Sequence, residues 1–235
     1  RNPLGSMKGL TQLIQEDFQP DDPKRQYTQV IIKEVDRLNL IVEELLSFSR
    51  VTEGGNSKSS INKTIQDAIE ILKHDKNYPD TIEVIEKLAP DIPLFWGEHG
   101  KLFQAFLNVL RNAVEAILEN NDNIPQTITV QSLYKSIPGE IPSTSKGRVI
   151  IEISNTGSLI TPDKIEQIFD PFYTTKTAGT GLGLAITHQI IAAHSGMIEV
   201  TSQPNQPTVF RITLPMINDV TSKEPDSASA ANSDC

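Results

Sequence analysis

GTGLGLAI, residues 179–186, places three glycines at alternate positions directly before an apolar segment of helical character. Glycine tolerates positive φ and has no side chain. Successive backbone NH groups can therefore turn toward an anion, and the N-terminus of a following helix adds its partial positive charge. The pattern indicates a phosphate-binding loop. Alternate glycines also occur in flexible lids and tight turns, so the other segments of the chain must decide between these interpretations.

A polar pair upstream lies at helical spacing within QAFLNVLRNAVEA, residues 104–116. Asn108 and Asn112 are four positions apart, and this spacing places both on one face of a helix, among apolar neighbours. A buried amide without a partner costs about 1–3 kcal/mol. An amide oxygen is also a ligand that Mg²⁺ accepts. The pair is thus a candidate metal site, and the alternative is two asparagines on a solvated helix face.

Two more segments stand between this helix and the glycines. ISNTG, residues 153–157, reads as the end of a strand that turns at a glycine. IFDPFYTTK, residues 168–176, carries an aromatic pair suited to packing beside a nucleotide and a lysine, Lys176, suited to phosphate. The four segments together favour a nucleotide site.

Composition limits the class of protein. The chain has 235 residues, is 37% hydrophobic and has a net charge of -9, which argues against nucleic acid as a partner. No apolar run reaches the ~18 residues of a membrane span, so we expect a soluble, cytoplasmic segment without direct membrane contact. The single cysteine, Cys235, excludes a disulfide framework.

The first fifty residues predict a helical hairpin, with a break at residues 18–23 and a second helix over 24–50. Apolar residues of the second helix alternate steps of four and three, which forms an a/d seam: Ile31, Val35, Leu38, Val42 and Leu45. We predict a four-helix bundle formed by two chains. The alternative is an amphipathic hairpin packed on the rest of the same chain.

The remaining sequence predicts an α+β fold in which helices and strands form a two-layer sandwich. The expected domains are a dimerisation hairpin at 1–50, a linker at 51–60, a nucleotide-binding domain at 61–216 and a disordered tail at 217–235. Within the third of these, the patterns predict helices over 61–76, 98–119, 162–169 and 182–194, and strands over 81–88, 127–134, 149–154, 197–202 and 209–214.

The order of the four segments resembles the N, G1, F and G2 boxes of the sensor histidine kinases of two-component systems. RNPLGSMKG, at the start of the chain, is similar to the stretch after the phospho-accepting histidine, where the family reads HEIRNPL. The stretches NPLGSMKG and RNAVEA are most similar to kinases of the nitrogen-regulation and sporulation type. The resemblance implies a dimerising hairpin joined to an ATP-binding domain of the histidine kinase and Hsp90-like superfamily. It also implies Mg²⁺, and a response regulator as partner.

The resemblance assigns roles position by position. Asn112 matches the Mg²⁺ ligand, Asn108 its helical neighbour, and Asn2 the polar residue that positions water when such kinases dephosphorylate their regulator. The remaining matches concern the nucleotide: Asn155, Gly157 and Thr208 near the adenine, Phe172 and Lys176 in the F box, and Gly179, Thr180, Gly181, Leu182 and Gly183 in the lid over the phosphates. Glu115 is a further candidate on the Asn112 helix, or else a solvated carboxylate.

Several positions depart from the family pattern. The sequence begins three positions after the place of the acceptor histidine, so we expect a fragment of a longer protein. Asn155 stands where the family has an adenine-reading aspartate, Leu159 where it has a second glycine, and Pro207 where a glycine usually precedes the threonine. Losing the aspartate charge weakens a charge-assisted hydrogen bond by about 1 kcal/mol.

These departures leave two alternatives to an active kinase open. One is a pseudokinase, or a phosphatase-biased dimeric scaffold, with weak nucleotide binding. The other is an ATPase of the same superfamily, which is disfavoured because such enzymes activate water with a carboxylate where this chain has Asn108.

Overall fold

The structure of the protein, a computed structural model, describes residues 3–49, 57–75, 78–120, 125–136, 147–176 and 179–216. The side chains of residues 40 and 43–49 are not described either. Asn2, the side chain of Leu45, part of the expected linker and the expected tail at 217–235 therefore lie outside the described residues.

The first two helices form the predicted hairpin. Helix α1 spans Pro3–Glu16 and α2 spans Lys24–Ser49. The two helices pack together, and the Lys8 ammonium contacts a carboxylate oxygen of Asp36 at 2.7 Å across the hairpin. Near the turn, the Arg25 guanidinium donates a hydrogen bond to the carbonyl of Phe18 at 3.3 Å. The chain therefore reverses direction, and α2 lies along α1.

The a/d seam of α2 is divided between two environments. Val35 is only 2% exposed and belongs to the buried side of the hairpin, whereas Ile31, Leu38 and Val42 are 46%, 45% and 41% exposed. The seam therefore does not form one uniform dimer face, because helical packing within the chain already covers Val35. Ile41, next to the seam, packs against the apolar core of the following domain. The alternative of packing within the chain thus holds for part of the helix.

Residues beyond the hairpin form a two-layer α/β sandwich, and the predicted α+β class is confirmed. Its helices are α3 (Ile61–Lys73), α4 (His99–Glu119), the one-turn α5 (Pro162–Ile165) followed by a 3₁₀ turn (Gln167–Phe169), and α6 (Gly183–Ala193). Its strands are β1 (Ser57–Ser59), β2 (Glu83–Leu88), β3 (Phe95–Gly97), β4 (Thr127–Ser136), β5 (Gly147–Asn155), β6 (Met197–Thr201) and β7 (Thr208–Met216).

The main sheet has the strand order β2-β4-β5-β7-β6. Strand β2 runs parallel to β4, and the other neighbours are antiparallel. The register pairs Asn155 of β5 with Ile128 of β4 and with Thr208 of β7 at one end of the sheet. At the other end it pairs Gly147 with Ser136 and Met216.

Helices α3, α4 and α6 form the second layer because each has a buried apolar stripe that belongs to the core shared with the sheet. In α4 the stripe consists of side chains that are 9% exposed or less: Leu102, Phe106, Leu107, Val109, Leu110, Val114 and Ile117. Helix α4 lies in the centre of the layer, in contact with α3 and α6. The Ser60 side chain caps α3 by accepting a hydrogen bond from the NH of Lys63 at 3.3 Å. Within the described residues, none of the helices combines the length and the apolar character needed to cross a bilayer.

A two-stranded ribbon, β1 with β3, was not predicted from the sequence. Ser57–Ser59 falls in the segment expected to be a linker and pairs antiparallel with Phe95–Gly97. Gly97 is tightly enclosed, since a Cβ there would lie 2.3 Å from the Phe95 ring and 2.8 Å from the His194 ring. The ribbon therefore joins the start of α4 to the end of α6.

Candidate nucleotide site

A cavity of about 370 Å³ lies between α4, the paired ends of β5 and β7, and the chain from Ser158 to Leu184. Nine of the predicted site residues line it: Asn108, Asn112, Asn155, Lys176, Gly179, Thr180, Gly181, Gly183 and Thr208. These residues come from five segments of the sequence, the four quoted above and β7, and the fold brings them to one place.

One wall of the cavity is a face of α4. Asn108 is half-buried and donates a hydrogen bond from Nδ2 to the carbonyl of Gly183, the first residue of α6, at 3.1 Å. Asn112, one turn further on, is also half-buried, and its Oδ1 accepts a hydrogen bond from the Lys176 ammonium at 3.2 Å. The two asparagines therefore make different contacts: Asn108 links α4 to α6, and the Asn112 oxygen accepts from a cation.

A second acceptor for the Lys176 ammonium is Glu115, whose carboxylate forms a short ion pair with it. Lys176 is 24% exposed and Glu115 is 52% exposed at the side chain. Both side chains line the cavity. Glu115 is thus part of the cavity wall, in contact with the F-box lysine.

The floor of the cavity is the end of the sheet. Asn155 is 2% exposed, and its Nδ2 finds no hydrogen-bond partner within the described part of the chain. Thr208, its neighbour across the strands, shares a hydrogen bond of 2.6 Å with Ser202, whose Oγ also accepts from the NH of Ile160 at 3.0 Å. A buried amide that lacks a partner costs about 1–3 kcal/mol. A ligand or water that accepts from Asn155 would remove this cost.

The three glycines of the quoted loop serve three different purposes. Gly181 has a φ of 71°, in the left-handed region, and a Cβ there would lie 2.5 Å from the carbonyl carbon of Phe172. At Gly179 a Cβ would lie 2.6 Å from the Thr174 hydroxyl. Gly183 begins α6, and the space beside it is open apart from Asn108 at 3.9 Å. Of the three, positive φ is thus confined to Gly181.

Three predicted residues do not line the cavity. Gly157 packs against α4, where a Cβ would lie 2.4 Å from the Ala116 carbonyl carbon. Leu182 is buried in the apolar core. Phe172 is 59% exposed, while its neighbour Tyr173 lines the cavity. Of the predicted aromatic pair, Tyr173 therefore lines the cavity and Phe172, whose φ is left-handed at 69°, does not.

Other cavity residues were missed by the sequence analysis, although simple periodicity predicts several of them. On α4, Arg111 and Glu119 share the face of Asn108, Asn112 and Glu115 at steps of three and four. On β7, Phe210 follows Thr208 by two positions, so both point to the same face. Ala116 follows Asn112 by four positions, and Tyr173 belongs to the aromatic pair that the sequence predicted beside a nucleotide. No such signal identifies the others: Ser158, Ile160, Lys164, Ile168, Thr174, Thr175 and Leu184.

Protein-family models match both the hairpin and the sandwich of this chain. Residues 97–218 match the family model described as "Histidine kinase-, DNA gyrase B-, and HSP90-like ATPase". Residues 1–54 match the "His Kinase A (phospho-acceptor) domain". The sandwich and its cavity thus define an ATPase-type domain of this superfamily, preceded by a phospho-acceptor type of hairpin.

Individual relatives agree with this pairing. The chain is 32% identical to sensor histidine kinase ZraS of Escherichia coli strain K12 over 225 residues. The aligned region covers 96% of this chain and 44% of ZraS. It is 31% identical over 225 residues to sensory histidine kinase/phosphatase NtrB of Azospirillum brasilense, covering 93% and 54%. The crystal structure of histidine kinase ThkA in complex with response regulator protein TrrA matches with a TM-score of 0.64, 25% identity and coverage of 92% and 58%.

The chain therefore belongs to the sensor histidine kinases of two-component systems and corresponds to their transmitter region. It spans about half the length of the curated relatives described above.

Proposed function

We propose that this chain binds Mg-ATP in the cavity and transfers the γ-phosphoryl group to a histidine on the hairpin of the complete protein. The observation that carries the proposal is the meeting of a cation-binding oxygen and an anion-binding backbone in one cavity, since Asn112 and Gly183, the first residue of α6, both line it. A helix N-terminus favours phosphate, and an amide oxygen favours Mg²⁺.

Three parts of the cavity have complementary roles in this proposal. Asn155 and Thr208, at the sheet end, contact the purine. Gly181, Gly183 and Leu184 surround the phosphates, and helix α6 begins at Gly183 without a side-chain cap on its first NH groups. Asn112 fits one protein ligand of a cation whose other ligands are phosphate oxygens and water, the arrangement that Mg²⁺ commonly adopts. Bound Mg²⁺ offsets the negative charge of the phosphates.

The reaction requires the protein to position two groups and needs no covalent enzyme intermediate before the histidine. The histidine nitrogen attacks the γ-phosphorus in line, the bond from that phosphorus to the bridging oxygen breaks, and ADP leaves. Catalysis of this kind rests on orientation and on electrostatic stabilisation of phosphate charge. Lys176 and the backbone NH groups of the loop are the described groups that supply it.

The hairpin supplies the dimer interface in this proposal. Its exposed apolar side chains form a surface that a second copy can cover: Met7, Leu10, Leu13, Ile14, Val30, Ile31, Leu38 and Val42. A four-helix bundle formed by two hairpins buries such surfaces. The second partner is a response regulator receiver domain, as the complex of ThkA with TrrA suggests for a relative.

Labelled ATP tests the enzymatic part of the proposal. None of the four histidines, His74, His99, His188 and His194, belongs to the hairpin. The chain should therefore remain unlabelled alone and should label an added hairpin that carries a histidine before its RNPL sequence. Acid-labile label on any of the four histidines, or no label on the added hairpin despite ATP binding, would contradict the proposal.

A second candidate function is a scaffold biased toward removing phosphate from its regulator. Two observations favour it: Asn155 replaces a carboxylate at the cavity floor, and Leu159, where the family has a glycine, is an exposed side chain on the cavity wall. The relative NtrB is named as a kinase/phosphatase. Calorimetric titration with ATP separates the two candidates, since a chain that binds no nucleotide supports the scaffold.

A superfamily ATPase is less well supported. Asn108 has no carboxylate with which to activate water, and its Nδ2 is engaged by the carbonyl of Gly183.

A further inference from the structure

The Lys176 ammonium lies between two oxygens of α4, the Asn112 amide oxygen and a Glu115 carboxylate oxygen. Lys176 comes from a segment more than sixty positions away in the sequence, so the contact depends on the tertiary fold. An exposed lysine–glutamate pair is an ordinary surface feature. The shared Asn112 oxygen distinguishes this pair, because it is the candidate metal ligand.

We propose that Asn112 and Glu115 together form the divalent-cation position of the site, and that the Lys176 ammonium occupies it while no metal is bound. The proposal rests on Mg-ATP binding as proposed above, and adds Glu115 as a metal-site residue and Lys176 as a competing cation.

The helix places the two oxygen donors suitably. Asn112 and Glu115 are three positions apart on α4 and line the same cavity, so their side chains lie side by side on one face. One neutral amide oxygen and one carboxylate are the donor types that Mg²⁺ and Mn²⁺ prefer, directly or through water. The position of the ammonium indicates that a cation is stable between them in this fold.

Electrostatic attraction favours replacement of the Lys176 ammonium by a divalent ion. A divalent ion that arrives with the nucleotide replaces a single positive charge by two at the same oxygens. The displaced ammonium remains beside the cavity, where phosphate oxygens are its natural partners. The Lys176 side chain is then attached to α4 without metal and to the nucleotide with metal.

Binding of Mn²⁺ in the absence of nucleotide tests the metal position directly. Electron paramagnetic resonance measures free Mn²⁺ in the presence of the full chain. Removal of the competing ammonium by Lys176→Met should tighten Mn²⁺ binding several-fold, and Glu115→Gln introduced into that variant should reverse the gain.

Matched controls exclude a general change of charge. Lys164→Met removes another cation of the same cavity, and Glu119→Gln removes a carboxylate one turn beyond Glu115. Both variants should bind Mn²⁺ like the parent chain. Equal tightening by Lys176→Met and Lys164→Met would overturn the proposal, as would an unchanged affinity in Lys176→Met with a native circular dichroism spectrum.

Cleavage by trypsin after Lys176 provides a second measurement. Loss of the ion pair in Glu115→Gln should increase cleavage at this position several-fold in the nucleotide-free chain, and Glu119→Gln should not. Neither experiment uses ATP or kinase activity. If the chain gives the expected Mn²⁺ binding and cleavage results and yet fails to bind ATP, the proposed function alone is contradicted. Unchanged cleavage in Glu115→Gln would instead contradict only the replacement of the Lys176 ammonium by a divalent ion.

Discussion

Gly181 is the residue at which the backbone of the site is most restricted. Its φ of 71° is unfavourable for any residue with a Cβ, and that Cβ would lie within 2.7 Å of the Phe172 carbonyl group. The NH of Phe172 also donates to the Gly181 carbonyl at 2.9 Å. We expect Gly181→Ala to lower the free energy of unfolding by about 1–2 kcal/mol or more, from the left-handed φ alone.

The control is two positions away in the same loop. Gly183 begins a helix with open space around it, so Gly183→Ala should leave the free energy of unfolding unchanged or raise it slightly. Urea denaturation of both variants measures the difference. Equal destabilisation would mean that the loop conformation described for Gly181 is wrong.

Asn155, at the floor of the cavity, is the residue that contacts the base in the proposed function. In Asn155→Asp two acceptor oxygens replace one, and an added charge strengthens a hydrogen bond from the adenine amino group. We expect ATP to bind several-fold more tightly, a gain of about 1 kcal/mol, and GTP not to gain, because guanine has a carbonyl where adenine has its amino group. Calorimetry with ATP and GTP decides this, and an equal gain for both nucleotides would rule out the assigned contact.

Single residues also mark the limit of what sequence predicts. The four-residue spacing of Asn108 and Asn112 was sufficient to place both on the cavity wall. The contact between Lys176 and Glu115 was not predictable, because it joins positions 61 apart. The sequence predicted the aromatic pair beside the nucleotide but could not tell that Tyr173 lines the cavity and Phe172 does not, because the two residues are adjacent and of the same kind.

Among the elements, α4 and α6 pack together through the apolar core, and at the cavity the Asn108 side chain adds a hydrogen bond between them. Asn108→Ala removes the hydrogen bond from α4 to the carbonyl of Gly183, and we expect a loss of about 1 kcal/mol in the free energy of unfolding. Asn112→Ala, one turn away, removes an acceptor of the Lys176 ammonium, which keeps Glu115 as a second acceptor, and should cost less. Thermal unfolding compares the two. A larger loss of free energy of unfolding in Asn112→Ala than in Asn108→Ala would contradict the structural role assigned to Asn108.

Elements with a strong period were predictable from the sequence. The predicted helix over 98–119 is α4 within one residue, because its apolar stripe repeats through five turns. The ribbon of β1 and β3 was not predictable, since three residues per strand are too few to show alternation. The ribbon also depends on tertiary contacts, since the rings of Phe95 and His194 enclose Gly97.

For the whole molecule, the divided seam of α2 separates assembly from folding. Leu38 is exposed and Val35 is buried. Leu38→Glu should abolish or weaken dimerisation, while the free energy of unfolding of the sandwich stays constant. Light scattering at several concentrations measures dimerisation. A parent chain that stays monomeric at high concentration would rule out the bundle.

Val35→Ala should instead destabilise the hairpin by about 1–3 kcal/mol, through loss of buried methyl groups.

The register of the central sheet also makes the domain suitable for protein engineering. Between the Ile128–Asn155 pair at the cavity and the Ser136–Gly147 pair at the far end, eight residue steps span roughly 27 Å. A reporter domain inserted in the connection between β4 and β5 would join the scaffold at two adjacent strand ends, well away from the cavity. This end of the sheet is therefore a natural attachment point for a fluorescent sensor that leaves the binding chemistry intact.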